Sequence, residues 1–358
     1  MKDIRIAAFL IFTACTILSC NNSSSVSNPT LPTTISSAEI PSSQSAAATT
    51  ELSEDDWLSR QNPVVEIAWS QDSGMLTVSA ISGVYVFDIK SEKIVYALEQ
   101  SEFLSPFALD PQGRYLFTKD RVWDVWSGEL LYQLPLTSLS AVVFSPDSKT
   151  LAISDNTSIT LWDADTGKLK EALPLGLGDA QQGLAFSSDG HLLYAVSSDR
   201  NVNRIDLIMG EYVQLFSLPE DVCCVTFSPD SRLMLVSLPH YGEGSKQLWN
   251  VEPGKMLKDS GRCDSDVGLA AFSPDNQSFV IGPCGNDTQF WDVSTRQLLH
   301  SFSSEVLLNH DPEWRSAAFS PDGTSIALGN EMGEVLIWDV GSYQLVTKLS
   351  IPGSSLTE

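Results

Sequence analysis

The sequence predicts an all-β chain built from seven copies of one small four-stranded unit. Two recurring anchors with a turn at fixed spacing carry the prediction. The first anchor is a large apolar residue followed by a polar turn. It recurs as Trp69-Ser-Gln-Asp72, Leu109-Asp-Pro-Gln112, Phe144-Ser-Pro-Asp147, Phe186-Ser-Ser-Asp189, Phe227-Ser-Pro-Asp230, Phe272-Ser-Pro-Asp275 and Phe319-Ser-Pro-Asp322. Pro presets φ at the first corner, and Ser and Asp bond back onto the turn backbone, so such tetrapeptides end one strand and begin the next. The second anchor is Phe87-Asp88, Trp123-Asp124, Trp162-Asp163, Ile205-Asp206, Trp249-Asn250, Trp291-Asp292 and Trp338-Asp339. Four residues beyond its Asp or Asn stands Gly128, Gly167, Gly210 or Gly254 in four units, and Glu92, Arg296 or Tyr343 in the others. Apolar residues then resume in every unit.

Between the anchors lie short runs rich in Val, Ile, Leu and aromatics, such as Met75 to Val78 and Val84 to Phe87. They read as four strands per unit, with no segment of helical period. The anchors stand 18 or 19 residues apart in five units, 14 apart in the second and 22 in the fifth. Both departures fall between the second and third strands. The second unit therefore has a clipped turn near Lys119-Asp120, and the fifth a long loop from Pro239 to Ser245.

A unit of about 40 residues with four strands and a Trp-Asp dipeptide resembles the WD-repeat family of propellers. The resemblance implies a single seven-bladed β-propeller of four-stranded antiparallel blades over residues 63–353, ahead of a short tail at 354–358. Its blades fall at about 63–100, 101–135, 136–174, 175–218, 219–259, 260–302 and 303–353. Members of that family usually close the ring by lending an N-terminal strand to the last blade. Here Leu345 to Ser350 already supplies that strand, which puts strand exchange in question and leaves residues near Trp57 to cover the seam.

The N-terminus has a different character. Lys2 and Arg5 precede an uncharged apolar run, Ile6 to Leu18, which is shorter than the roughly 20 residues that span a bilayer but suits a secretory signal. It ends in Ile17-Leu18-Ser19-Cys20, which resembles the bacterial lipobox; Leu18 is a less usual occupant of its place, and Cys15, after Phe12, is a poorer candidate. That resemblance implies a signal peptide at 1–19 and a diacylglycerol on Cys20 of an exported, extracytoplasmic envelope protein. The alternative is an ordinary signal peptide that contains two Cys. From Asn21 to Thr50 the chain is Ser, Thr, Ala, Asn and Pro with one charge, Glu39, so the segment 20–62 reads as a flexible tether. Thirty such residues reach about 30 Å.

Charge narrows the partners. Asp and Glu number 45 against 21 Lys and Arg, a formal net charge of −24. Such a field repels phosphate backbones and anionic lipid headgroups, which argues against nucleic acid and leaves a lipid anchor as the only route to a membrane. No Gly-x-Ser-x-Gly elbow, His-Glu-x-x-His or phosphate loop is present, no His pair has metal-ligand spacing, and no cofactor is implied.

The family often pairs a His, nine residues before the first anchor, with an Asp of the turn between strands two and three. In unit seven that His is His310, but the partner place holds Met332. In unit six the place of the His is Cys263, and Cys284 lies beside the place of the Asp. The resemblance thus implies a Cys263–Cys284 disulfide, with two half-buried thiols as the alternative. Cys223 and Cys224 are adjacent on an inner strand, point to opposite faces, and read as buried thiols.

In the family, the rim that gathers the blade links and the strand-two-to-three turns docks peptides and domains. Here it offers Asp179, Gln181 and Gln182, Asp199 and Arg200, His240, Tyr241 and Glu243, and Asp311, Glu313 and Trp314. The resemblance implies a non-catalytic scaffold for a protein or peptide partner. The alternatives are a small-ligand or glycan sensor using the propeller channel, or an envelope hydrolase.

Overall fold

The computed structural model describes residues 62–352, apart from 100–106, 126, 137, 156–157, 174–180, 198, 221, 223, 239–243, 264–268, 285–286 and 304–313. The chain forms seven four-stranded sheets, each an antiparallel meander in sequence order, and no helix occurs among the described residues. Blade one is β1 (Val64–Trp69), β2 (Met75–Ala80), β3 (Gly83–Asp88) and β4 (Lys93–Glu99). Blade two is β5 (Phe107–Leu109), β6 (Tyr115–Thr118), β7 (Arg121–Asp124) and β8 (Leu130–Gln133). Blade three is β9 (Ala141–Phe144), β10 (Thr150–Ser154), β11 (Ile159–Asp163) and β12 (Leu169–Leu173). Blade four is β13 (Gln181–Phe186), β14 (Leu192–Ser197), β15 (Asn201–Asp206) and β16 (Glu211–Ser217). Blade five is β17 (Cys224–Phe227), β18 (Leu233–Leu238), β19 (Gly244–Asn250) and β20 (Lys255–Cys263). Blade six is β21 (Leu269–Phe272), β22 (Ser278–Cys284), β23 (Asp287–Asp292) and β24 (Leu298–Ser303). Blade seven is β25 (Trp314–Phe319), β26 (Ser325–Asn330), β27 (Glu334–Asp339) and β28 (Leu345–Ser350).

Both turn signals work as their chemistry demands. In blade three, Ser145 Oγ donates to Asp147 Oδ1 at 2.6 Å and accepts the Thr150 N–H at 2.9 Å, while Asp147 accepts the Lys149 N–H at 3.1 Å. The same bonds recur around Ser70, Ser187, Ser228, Ser273 and Ser320. Blade two substitutes Asp110, whose carboxylate accepts the N–H groups of Gln112, Arg114 and Tyr115. At the turn between strands three and four, all seven positions four beyond the Asp or Asn are left-handed. Glu92, Arg296 and Tyr343 hold φ near +58° just as the four glycines hold φ from +65° to +73°. The clipped turn of blade two is the pair Lys119-Asp120 between β6 and β7, with Lys119 at φ 60°.

A single blade has no interior of its own. The apolar clusters instead lie at the junctions, one at each of the seven. Leu161, Leu173, Phe186, Leu193 and Ile205 fill the junction of blades three and four, for example, and Leu235, Leu248, Phe272, Phe279 and Ile281 that of five and six. The third-strand anchors Phe87, Trp162, Ile205, Trp249 and Trp338 are all buried among them. Each blade therefore depends on two neighbours to cover its faces.

The ring closes without strand exchange, since β28 is the fourth strand of blade seven and β1 the first of blade one. Val64, Ile67 and Trp69 of β1 pack with Ala327, Val335 and Ile337 of blade seven. Trp69 Nε1 donates across the seam to Ala318 O at 3.0 Å. A Cβ on Gly329 would come within 2.5 Å of Val64 Cγ1, so only a glycine lets the two blades approach this closely. Trp57, assigned from sequence to this seam, lies outside the described residues.

Candidate interaction rims

The propeller has two rims. One gathers the turns between strands one and two and between strands three and four; Leu207 N–H donates to His191 O at 2.9 Å, tying one kind to the other. The opposite rim gathers the blade links and the turns between strands two and three. There the Leu218 N–H donates to Arg200 O at 2.8 Å, and the Asn62 side chain bonds Ser82. The chain thus enters the first blade on the link rim, which is the rim the sequence assigns to partners.

On that rim blade four presents a turn of exposed polar residues. Asp199 and Arg200 form the turn between β14 and β15, and both are exposed. Asp199 accepts from Ser197 Oγ and, at 2.8 Å, from Asn201 Nδ2. Arg200, left-handed at φ 71°, donates from Nη1 to Pro219 O at 3.1 Å, so its side chain also holds the link to blade five. Asn201 Oδ1 accepts from Ser217 Oγ at 2.5 Å and from Gln214 Nε2 at 2.9 Å. Asp199, Asn201, Gln214 and Ser217 make one hydrogen-bonded polar surface. Gln214 and Ser217 escaped the sequence reading because only the pairing of β15 with β16 brings them beside Asn201.

Gln181 and Gln182, read from sequence as loop, already belong to β13, where the register slips between Gln181 and Gly183. Asp179, His240, Tyr241, Glu243, Asp311 and Glu313 lie outside the described residues, as does His310. Trp314 requires a correction. It is the first residue of β25, opposite Asn330, and is only 1% exposed. It packs with Leu269, Phe290, Phe302 and Trp338 between blades six and seven. A ring taken into that wedge has no surface left for a partner.

In unit seven, where the sequence leaves the family's His-to-Asp network incomplete, an amide organises the turn between β26 and β27. Asn330 Oδ1 accepts the N–H groups of Met332 and Glu334 at 2.9 and 3.0 Å, and its Nδ2 donates to Glu334 Oε2 at 3.0 Å. Glu334 also pairs with Lys348 at 2.5 Å, and Glu331 with Arg315 at 3.4 Å. Cys263 ends β20, in the fourth strand of blade five rather than on the approach to blade six, and Cys284 ends β22. Cys224 is buried at the start of β17.

Electrostatically, the carboxylates that depart from ordinary behaviour are mostly turn residues. Asp72, Asp147, Asp189 and Asp322 are held below the usual carboxylate range, chiefly by the Ser hydroxyl two residues earlier. Asp163 and Asp339 are lowered chiefly by a Thr or Ser hydroxyl three residues on. Glu66 moves the other way. It sits on β1, on the innermost strand and half-buried, and removal of water from its carboxyl raises its pKa to about 8. Sequence gave no signal for it, because the raising comes from the blades packed around it.

Among the described residues no group of His, Cys, Asp and Glu could hold a metal ion. No curated protein matches the chain. Residues 128–163 match the family described as WD domain, G-beta repeat. That span runs from the end of blade two's last turn, through β8, to the end of β11. The matched unit is therefore one strand out of phase with the blades. Seven four-stranded blades in a ring, and this repeat within them, together support a WD-repeat β-propeller.

Proposed function

We propose that this chain is a non-catalytic protein-interaction module, carried by a lipid on Cys20 at an extracytoplasmic face of the cell envelope. In this reading residues 1–19 are a removed signal and 20–62 a tether. The observation that carries the interaction role is the link rim of blade four. There Asp199, Asn201, Gln214 and Ser217 present donors and acceptors to solvent on a frame fixed by two neighbouring blades. Rigid presentation of polar groups lowers the ordering cost of binding. The shifted turn carboxylates support the same reading, since their bonds are committed to holding the frame.

The test is capture of a partner from detergent-solubilised envelopes by the full chain and by a Asp199→Ala, Gln214→Ala variant. A protein retained by the first and lost by the second supports the role. A glycan-array hit, or turnover of chromogenic esters or glycosides, transfers the role to an alternative. Lipidation is read separately by metabolic labelling with an alkynyl fatty acid. Label on the parent and none on Cys20→Ser, with release of that variant from membranes, supports the anchor; label on both removes it.

A second reading, a small ligand held at the axis, has one observation in its favour. Glu66 lies on an innermost strand, and its elevated pKa leaves a carboxyl that is largely protonated at neutral pH and able to donate a hydrogen bond.

A further inference from the structure

We propose that the outer edge of the junction between blades three and four is a docking notch for an aromatic side chain on a partner polypeptide, with basic residues flanking that ring. The inference rests on the reading that the propeller binds protein, but it places a contact on the rim opposite the blade links.

Two kinds of clasp join the outer parts of neighbouring blades. In the first, a fourth-strand side chain covers the left-handed residue of the next blade's last turn. Tyr96, opposite Val86 in register, lies so close to Gly128 that a Cβ there would be 2.3 Å from the ring. Tyr132, opposite Val122, covers Gly167 and donates its hydroxyl to Ala164 O at 2.5 Å. Phe216 covers Gly254. His300, opposite Phe290, stacks on Tyr343 with centroids 4.5 Å apart. The register place that Tyr96, Tyr132 and His300 share holds Lys258 and Thr347 at two other junctions, and at the junction of blades three and four, opposite Leu161, it holds the exposed Glu171. Gly210, which it should cover, has nothing within 4 Å of its Cβ position.

The second clasp comes from the residue two beyond the turn Asp or Asn. Asp165 accepts from Tyr115 of the preceding blade at 2.5 Å, and Glu252 accepts from Arg204 of its preceding blade at 2.5 Å. In blade four that residue is Ile208, 67% exposed, and Met209 beside it is 73% exposed. In three other turns the place of Met209 belongs to Thr166, Thr295 or Ser342, whose hydroxyl bonds the turn Asp. Met209 offers Asp206 only its backbone N–H. The turn thus gives up a hydrogen bond and sets apolar surface in water, with no return among the described residues.

The occupant follows from what covers the other turns. At four of the seven junctions the covering group is an aromatic or imidazole ring, three of them at the place Glu171 takes and Phe216 from another, so a ring fits the bare Gly210 turn. Glu171 and Glu211 are exposed and take no ion pair among the described residues, and the chain carries a formal −24, which favours a basic flank. The chain's own Trp57 is no candidate: it precedes Asn62, on the opposite rim at the seam of blades seven and one, by five residues. At roughly 3.5 Å per residue it cannot reach blades three and four.

The test uses the full chain and three dye-labelled pentapeptides read by fluorescence anisotropy: a Trp flanked by two Lys on each side, the same with Ala for Trp, and the same with Glu for Lys. The Trp–Lys peptide is expected to bind at least about tenfold more tightly than either control. Glu171→Tyr, which supplies the missing ring from within, is expected to weaken that peptide by about tenfold while raising the melting temperature. Ile208→Ser, which removes apolar surface without adding charge, should weaken it without raising the melting temperature. No binding, equal binding of the Ala control, or unchanged binding to Glu171→Tyr overturns the notch. Envelope capture that depends on Asp199 and Gln214 but survives Glu171→Tyr would leave the rim reading standing when the notch fails, and the reverse pattern would separate them equally well.

Discussion

Ser145 and Asp147 show how much of this protein is decided at single residues. One hydroxyl and one carboxylate close a turn by satisfying its backbone N–H groups, and the same pair does so in six of the seven blades. Such side chains are readable in advance because their bonds are local. Glu66 is the opposite case, a residue whose chemistry comes from elements distant in sequence. Its folded pKa of about 8 lies above its ordinary 4.5, so the unfolded chain releases its proton first as pH rises. The Glu66 contribution to stability is therefore full below about pH 4.5 and is lost as pH rises through 8. Glu66→Gln is expected to leave stability unchanged at pH 4.5 and to raise it by about 2–4 kcal/mol at pH 9. Urea unfolding at the two pH values checks this, and an equal effect at both would show that the carboxyl is not desolvated.

At the scale of the element, the left-handed turn residue and the ring above it act as a pair. Gly128→Ala has to accept φ +71° and displace the Tyr96 ring, whereas Gly210→Ala meets only the backbone strain of φ +68°. The first is expected to cost about 2–4 kcal/mol and the second about 1 kcal/mol. Equal losses in denaturant unfolding would mean that the aromatic clasp adds nothing. The placement of the strands bears on the two sulfurs as well. Cys263 and Cys284 end β20 and β22, strands of adjacent blades that come together. Non-reducing peptide mapping of protein purified under oxidising conditions is expected to find them in one linked fragment, and alkylation of both thiols would remove the bridge.

The whole molecule is a ring whose apolar interior is divided among seven junctions, so no blade is stable without its neighbours. Its response to pH sums opposite local effects. The turn carboxylates have folded pKa values below their unfolded ones, so their contribution is present above the ordinary Asp range and is lost as pH falls through the depressed values. Glu66 and the net charge of −24 act at the other end. The melting temperature is expected to peak at about pH 5, to fall toward pH 9, and at pH 9 to rise with added salt. A profile that is flat from pH 5 to 9, or indifferent to salt, would contradict this balance.

Blade number, strand order and both turn types were legible from the chain alone. Each is encoded within about 20 consecutive residues, by strand-forming runs and by side chains that bond their own backbone. Trp314 was misplaced, and Gln214, Glu66 and the Asn330 network were missed, for one shared reason. Whether a ring is buried, which amide meets which, and how far a carboxyl is dried are settled by contacts between strands and blades far apart in sequence. The bare Gly210 turn belongs with these. Gly210 reads like any other turn glycine, and only the seven blades side by side show that its neighbour brings no ring to cover it.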